Sequence, residues 1–226
     1  MHKSTLTLFA AVAAVLACAA PASAKIVEVG RTDAAPACPD SPCLAVSRTT
    51  GYQVKVADER STYTAPEDGK IVAWSISLGK PTDEQISFFD KSLGGPASAQ
   101  LTVIRLDKKL MAKTITQSPV QLLAPYFGQT VQFPLATSLP VTKGSIVALS
   151  VPSWAPALGL GLARDNIWRA SRDIDACDDT QTQSAQIDVG DLTRYKCSYR
   201  TARLGYSATL ITTPVPPKPK PKPQTL

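Results

Sequence analysis

Between the Thr142-Lys143-Gly144 turn and Pro152, residues Ser145 to Val151 are almost wholly apolar and rich in β-branched side chains. A run this short, with Gly and Pro at its flanks, predicts a buried strand that ends at Pro152. An echo lies upstream, where Pro66-Glu67-Asp68-Gly69 turns into Lys70 to Leu78. There Val72, Trp74, Ile76 and Leu78 are expected to face the core, with Ile71, Ala73, Ser75 and Ser77 on the other face. Gly51 to Val56 alternates in the same way, Tyr52, Val54 and Val56 against Gln53 and Lys55. Gln100–Leu106 and Leu110–Gln117, joined at Asp107-Lys108-Lys109, predict a hairpin. Pro134 restricts the strand Thr130–Leu135 to an edge or marks its end. Asn166–Ser171 reads as a further strand, and Ala202–Leu210 as a last one with Leu204, Tyr206, Ala208 and Leu210 inward. One segment has helical character: Thr82 and Gln85 form a capping box, Asp83 and Glu84 suit the helix dipole, and Ile86, Phe89 and Leu93 make a stripe that Gly94-Gly95 ends. Together these elements predict an all-β fold, an antiparallel β-sandwich of jelly-roll-like kind with one short helix.

The ends change the picture of where such a domain works. A basic start at Lys3, an apolar stretch from Leu6 to Ala20 and Ala22-Ser23-Ala24 predict a signal peptide over residues 1–24. A cut before Cys18, giving a lipoprotein, is the weaker fit. The sandwich is then expected over 25–213, and the Pro/Lys alternation of 214–226 predicts an extended, solvated tail. No segment after the leader is long and apolar enough for a transmembrane helix. The chain is therefore expected to be secreted or held at the cell envelope. Export leaves Cys38, Cys43, Cys177 and Cys197, for which the sequence-local pairing gives two disulfides, Cys38 with Cys43 and Cys177 with Cys197.

Charge and chemistry narrow the function. Of 24 basic residues, Lys3 lies in the leader and Lys218, Lys220 and Lys222 in the tail, so the body carries 20 against 18 acids. That balance offers no electrostatic footprint for nucleic acid. The one histidine, His2, belongs to the leader. A Ser-His-Asp or Cys-His nucleophile and a histidine-based zinc site are thereby excluded from the exported chain. A carboxylate pair of glycosidase type or a Ser-Lys dyad survives that exclusion, although no motif selects one, and no cofactor is expected.

The strand Leu101-Thr-Val-Ile-Arg-Leu106 followed by Leu139-Pro-Val-Thr-Lys-Gly-Ser-Ile-Val-Ala-Leu149 resembles a group of uncharacterised exported proteins of actinobacteria. The resemblance implies a jelly-roll sandwich and transfers no catalytic residue. Candidate ligand contacts come from the residues themselves: Trp154, Trp168, Tyr126 and Phe127 could stack on a sugar ring, with Arg169 and Asp165 as polar partners. Their alternative role is to seal the core. Asp175, Asp178 and Asp179 are weak calcium candidates, since their spacing matches no EF-hand loop. The expected function is a non-enzymatic surface or envelope binding protein with a glycan or anionic polymer as partner. A glycan-active hydrolase and a purely structural surface protein are the alternatives.

Overall fold

Strands cover the main segments of apolar alternation, in a computed structural model that describes residues 23–34 and 45–214. In chain order they are β1 (Ile26–Arg31), β2 (Val46–Val56), β3 (Glu59–Arg60), β4 (Gly69–Ser77), β5 (Ser98–Leu106), β6 (Met111–Gln117), β7 (Gln121–Leu122), β8 (Thr130–Val141), β9 (Ile146–Ala155), β10 (Leu158–Gly159), β11 (Ile167–Ala170), β12 (Leu192–Arg194), β13 (Cys197–Arg200), β14 (Arg203–Leu204) and β15 (Tyr206–Thr212). The helix α1 spans Asp83–Ser92, and its capping box is as expected: the Gln85 amide donates to the Thr82 hydroxyl, and the Thr82 amide to the Gln85 side chain. The Cys38–Cys43 bridge lies outside the described residues. So do the leader and the tail, apart from Ser23, Ala24 and Pro214.

Two antiparallel sheets make the sandwich. The smaller runs β1-β15-β4-β8; the larger runs β12-β6-β5-β9-β2-β11-β13, with β3 and β7 paired at its margins. Between them Trp74, Ile76, Tyr206 and Leu210 of the small sheet pack on Leu101, Val103, Val147 and Leu149 of the large one. The Tyr206 hydroxyl crosses the core to donate to the Val147 carbonyl at 2.9 Å. Leu204, Tyr206, Ala208 and Leu210 are all fully buried, as their alternation predicts. At one end of the sandwich, Phe89 of α1 and Leu93, which caps it, enter the same core.

Two expectations from the pattern are corrected. In β4 it is Ile71 that is buried, 1% exposed, while Val72 is only half-buried. Ile71 lies across from Leu139 but Ala73 across from Pro134, so four residues of β8 face Val72 alone and the bulge rotates the strand. Complete burial of an aliphatic chain this size is worth roughly 1.5–3 kcal/mol, enough to select that register. The second correction concerns Pro152, which does not end β9. Thr49 pairs with Val151 and Ser47 with Trp154, so Arg48, at φ 45°, faces both Pro152 and Ser153 in a bulge. A bulge is where a central strand tolerates proline, because no ladder hydrogen bond is asked of it. Pro134 and Pro140 sit on β8, the edge of the small sheet, as Pro134 led one to expect.

What positions the site is the outer face of the large sheet, away from the sandwich core. Tyr52, Ile104, Ala112, Ala148 and Tyr195 form a second buried cluster there. Beside it the hydroxyls of Thr102, Ser150 and Thr50 form a row across β5, β9 and β2, with contacts of 2.7 and 2.6 Å. An insertion closed by the Cys177–Cys197 disulfide lies over this face, and its β12 extends the large sheet by pairing with β6. The Gln186 carbonyl accepts from Ser150 at 2.9 Å and from the Gln117 side chain at 2.9 Å, while the Gln186 amide donates to Thr50 at 2.9 Å. Arg48, thrown outward by its bulge, donates to the Gln183 carbonyl at 2.7 Å.

Candidate functional site on the outer sheet face

The insertion covers only part of the outer face and leaves a cleft of about 380 Å³ beside Tyr195. Its walls come from β2 and its turn, β5, β9 and β11: Tyr52 and Val54, then Arg60, Ser61 and Thr64, then Leu106, Ile146 and Arg169. Sequence alternation explains the selection, because Tyr52 and Val54 share the outer face of β2, and Ile146 shares its outer face of β9 with Ala148 and Ser150. Tyr52 is 4% exposed, and its ring lies 5.4 Å from that of Tyr195. Burial raises the Tyr52 phenol above its ordinary value, while the Arg169 guanidinium works in the opposite sense.

Arg169 is held in place by backbone. Its Nη1 donates to the carbonyls of Tyr195 and Lys196, both at 3.1 Å, and its Nε and Nη2 make no hydrogen bond among the described residues. Arg60 forms no ion pair among the described residues. Neither Asp nor Glu lines the cleft. Two guanidiniums without a carboxylate therefore stand beside an apolar and phenolic floor. A guanidinium presents a planar fork of donors that matches a carboxylate or phosphate, so the lining suits an anion that also carries apolar surface.

The other residues singled out from the sequence go elsewhere. Trp154 is fully buried; Phe89 and Phe127 pack on its ring at 4.8 and 5.6 Å, and its Nε1 donates to the Asp90 carboxylate at 2.8 Å. A sugar ring has no face of Trp154 left to stack on. Trp168 is 4% exposed and lies 4.3 Å from Tyr199, nearly parallel at 22°, over Gly51. A Cβ on Gly51 would fall 3.0 Å from the Trp168 ring and 2.9 Å from Leu204, so glycine makes room for this packing. Both tryptophans serve the core because their strand positions point inward, whereas Arg169, next to Trp168 on β11, points out. Tyr126 packs edge-on against Phe133 at 5.3 Å, and Phe127 follows Trp154. The Asp165 carboxylate accepts from the neighbouring Asn166 side chain at 3.4 Å.

Asp175, Asp178 and Asp179 do not converge; among the described residues no group of three or more potential metal ligands is assembled. Asp179 instead ties its own loop: its carboxylate accepts from the Thr182 hydroxyl and from the amides of Thr182 and Gln181, the latter two at 3.0 and 2.8 Å. Those bonds, led by the Thr182 hydroxyl, pull its pKa down to about 2. The Cys177–Cys197 pair is bonded as its local spacing suggests. Arg172, 5% exposed, braces that disulfide loop by donating to the Ser47 carbonyl at 2.8 Å, the Cys177 carbonyl at 3.2 Å and the Tyr199 hydroxyl at 3.1 Å.

Tyr52 and Arg60 are cleft residues that sequence reasoning passed over. Their signal is faint: Tyr52 leads the alternating face of β2, and Ala57-Asp58 is a short turn that brings Arg60 back beside Lys55. Among the described residues no helix is long and apolar enough to cross a membrane. Comparison with models of protein families, with curated proteins and with solved structures finds no match for this chain.

Proposed function

We propose that the chain is an exported or envelope-associated binding protein, without catalytic activity, whose outer-face cleft takes an acidic saccharide. The observation that carries this reading is the lining itself: Arg60 and Arg169 unopposed by any carboxylate, over Tyr52, Val54 and Ile146. A saccharide offers apolar C–H faces to such a floor, and its hydroxyls meet Ser61 and Thr64. A uronate carboxylate meets the guanidinium forks. The cleft volume of about 380 Å³ is in the range of small-ligand sites. Hydrolysis by a carboxylate pair needs two acids flanking the scissile bond, and this cleft supplies neither.

Calorimetric titration with uronates and with neutral sugars of equal size tests the reading, alongside an assay for reducing-sugar release. The expected result is binding of the uronate alone, weakened at least about tenfold by Arg169→Ala or Arg60→Ala, since a charge-assisted hydrogen bond is worth about 1.5–3 kcal/mol. No sugar release is expected. Equal binding of neutral sugars would refute the anion preference, release would restore the hydrolase, and no binding at all would favour a purely structural surface protein.

A further inference from the structure

A second basic pocket adjoins the cleft. It encloses about 320 Å³ and is lined by Met111, Arg172, Asp173, Ile174, Arg194 and Lys196. Three cations thus meet one carboxylate, and none of the three forms an ion pair among the described residues. Arg172 is buried, and its Nε has no hydrogen-bond partner although the rest of its guanidinium is engaged. Arg194 and Lys196 are exposed, and the Arg194 Nε makes only a weak 3.4 Å contact with the Met111 sulfur.

The pocket and the cleft share a seam. Leu110 lines one and Met111 the other, and consecutive Cα atoms lie only about 3.8 Å apart. The Tyr195 amide donates to the Leu110 carbonyl at 2.9 Å. Arg169, a wall of the cleft, holds the carbonyl of Lys196, a wall of the pocket, at 3.1 Å. The two cavities are therefore neighbours, joined through Leu110–Met111 and the Arg169–Lys196 contact, each with unopposed or excess positive charge.

We infer that the pocket is a second anion subsite and that the ligand is a linear polyuronate crossing the seam, one carboxylate engaging Arg60 and Arg169 and a later one engaging Arg194 and Lys196. This rests on the acidic-saccharide reading of the cleft. A single uronate uses one subsite. A chain long enough for both gains by tethering, because the second contact becomes intramolecular.

Isothermal titration of the full chain with galacturonate oligomers of increasing length is the test, with a polyol-phosphate polymer as a parallel arm. Affinity is expected to rise at least about tenfold at the length that first reaches both cavities, the gain expected of a second tethered contact. In Arg194→Ala/Lys196→Ala that gain disappears and the salt dependence of the long oligomer becomes shallower, as fewer counterions are displaced. Both side chains are exposed, and an unchanged circular dichroism spectrum certifies the fold. If short uronates bind but length brings no gain, the second subsite is wrong while the cleft stands. If nothing uronate-bearing binds, both readings fall. Tighter retention of the polyol phosphate than of the polyuronate overturns the uronate assignment.

Discussion

Ser150→Ala removes one oxygen atom from a place with no solvent, and the hydrogen-bond inventory gives the cost. Thr50, Thr102 and Ser150 are each 0% exposed. A hydroxyl has one hydrogen and two lone pairs. Ser150 donates to the Gln186 carbonyl at 2.9 Å, which leaves its lone pairs for the hydroxyl hydrogens of Thr50 at 2.6 Å and Thr102 at 2.7 Å. The two threonine oxygens accept in turn, Thr50 from the Gln186 amide at 2.9 Å and Thr102 from the Gln117 side chain at 3.3 Å. With alanine in place, the Thr50 hydrogen can turn to the Gln186 carbonyl, 3.2 Å away, but that of Thr102 is stranded. One stranded buried donor costs about 1–3 kcal/mol and the lost bond to Gln186 about 1, so stability should fall by roughly 2–4 kcal/mol. Urea denaturation of the disulfide-intact protein, followed by tryptophan fluorescence, measures the fall as a lower midpoint with unchanged slope. Ser87→Ala, on the exposed face of α1, serves as control and should stay within about 0.5 kcal/mol. A loss below about 1 kcal/mol for Ser150→Ala would refute the proton assignment and, with it, the view that Gln186 fastens the insertion to the sheet.

The Cys177–Cys197 bridge closes a loop with a sequence separation of 20, so Cys177→Ser/Cys197→Ser should cost about 3 kcal/mol on the chain-entropy estimate. Hydrogen exchange should then speed up across 178–196; unchanged protection there would show that Arg48, Arg172 and Gln186 hold the loop without the covalent link. Tyr52, Tyr63, Tyr195 and Tyr206 all have phenols raised above the ordinary value of 10.0, in each case chiefly by burial. The fold keeps these protons while the unfolded chain releases them, so the stabilisation is complete below pH 10 and is lost as the pH climbs past it. Phenolate absorbance from these buried rings should therefore rise together with loss of the near-ultraviolet dichroism, and ionisation that clearly precedes unfolding would contradict their burial.

Local signals in the sequence translate into structure where the contact partners are near in the chain. Thr82 and Gln85 find one another across a single turn, and the hairpin at Asp107 to Leu110 joins β5 to β6. The inward face of β15 is equally legible, since period-two alternation alone picks out Tyr206, Ala208 and Leu210. The failures lie where a distant strand decides. Whether Ile71 or Val72 is buried depends on where β8 bulges, and Pro152 survives inside β9 because Arg48, far upstream, yields the space. The cleft belongs to the same category: Tyr52, Ile146 and Arg169 share one surface only after three strands align. Aromatic residues in or beside loops read as stacking platforms at Trp154 and Trp168, but their strand parity points inward. The outer face was hidden for a related reason. A Thr, a Ser and another Thr look like solvent-facing positions until an insertion supplies the Gln186 backbone to cover them.

The margin formed by β8 has a bearing on how the molecule behaves in a crowd. An open strand normally offers a regular comb of amide hydrogens to any neighbour able to extend the sheet. Pro134 and Pro140 each remove a tooth from that comb, and the kink across from Val72 bends the remainder out of line. Copies meeting along this side find no straight template for the strand-by-strand stacking that turns exposed sheets into fibres.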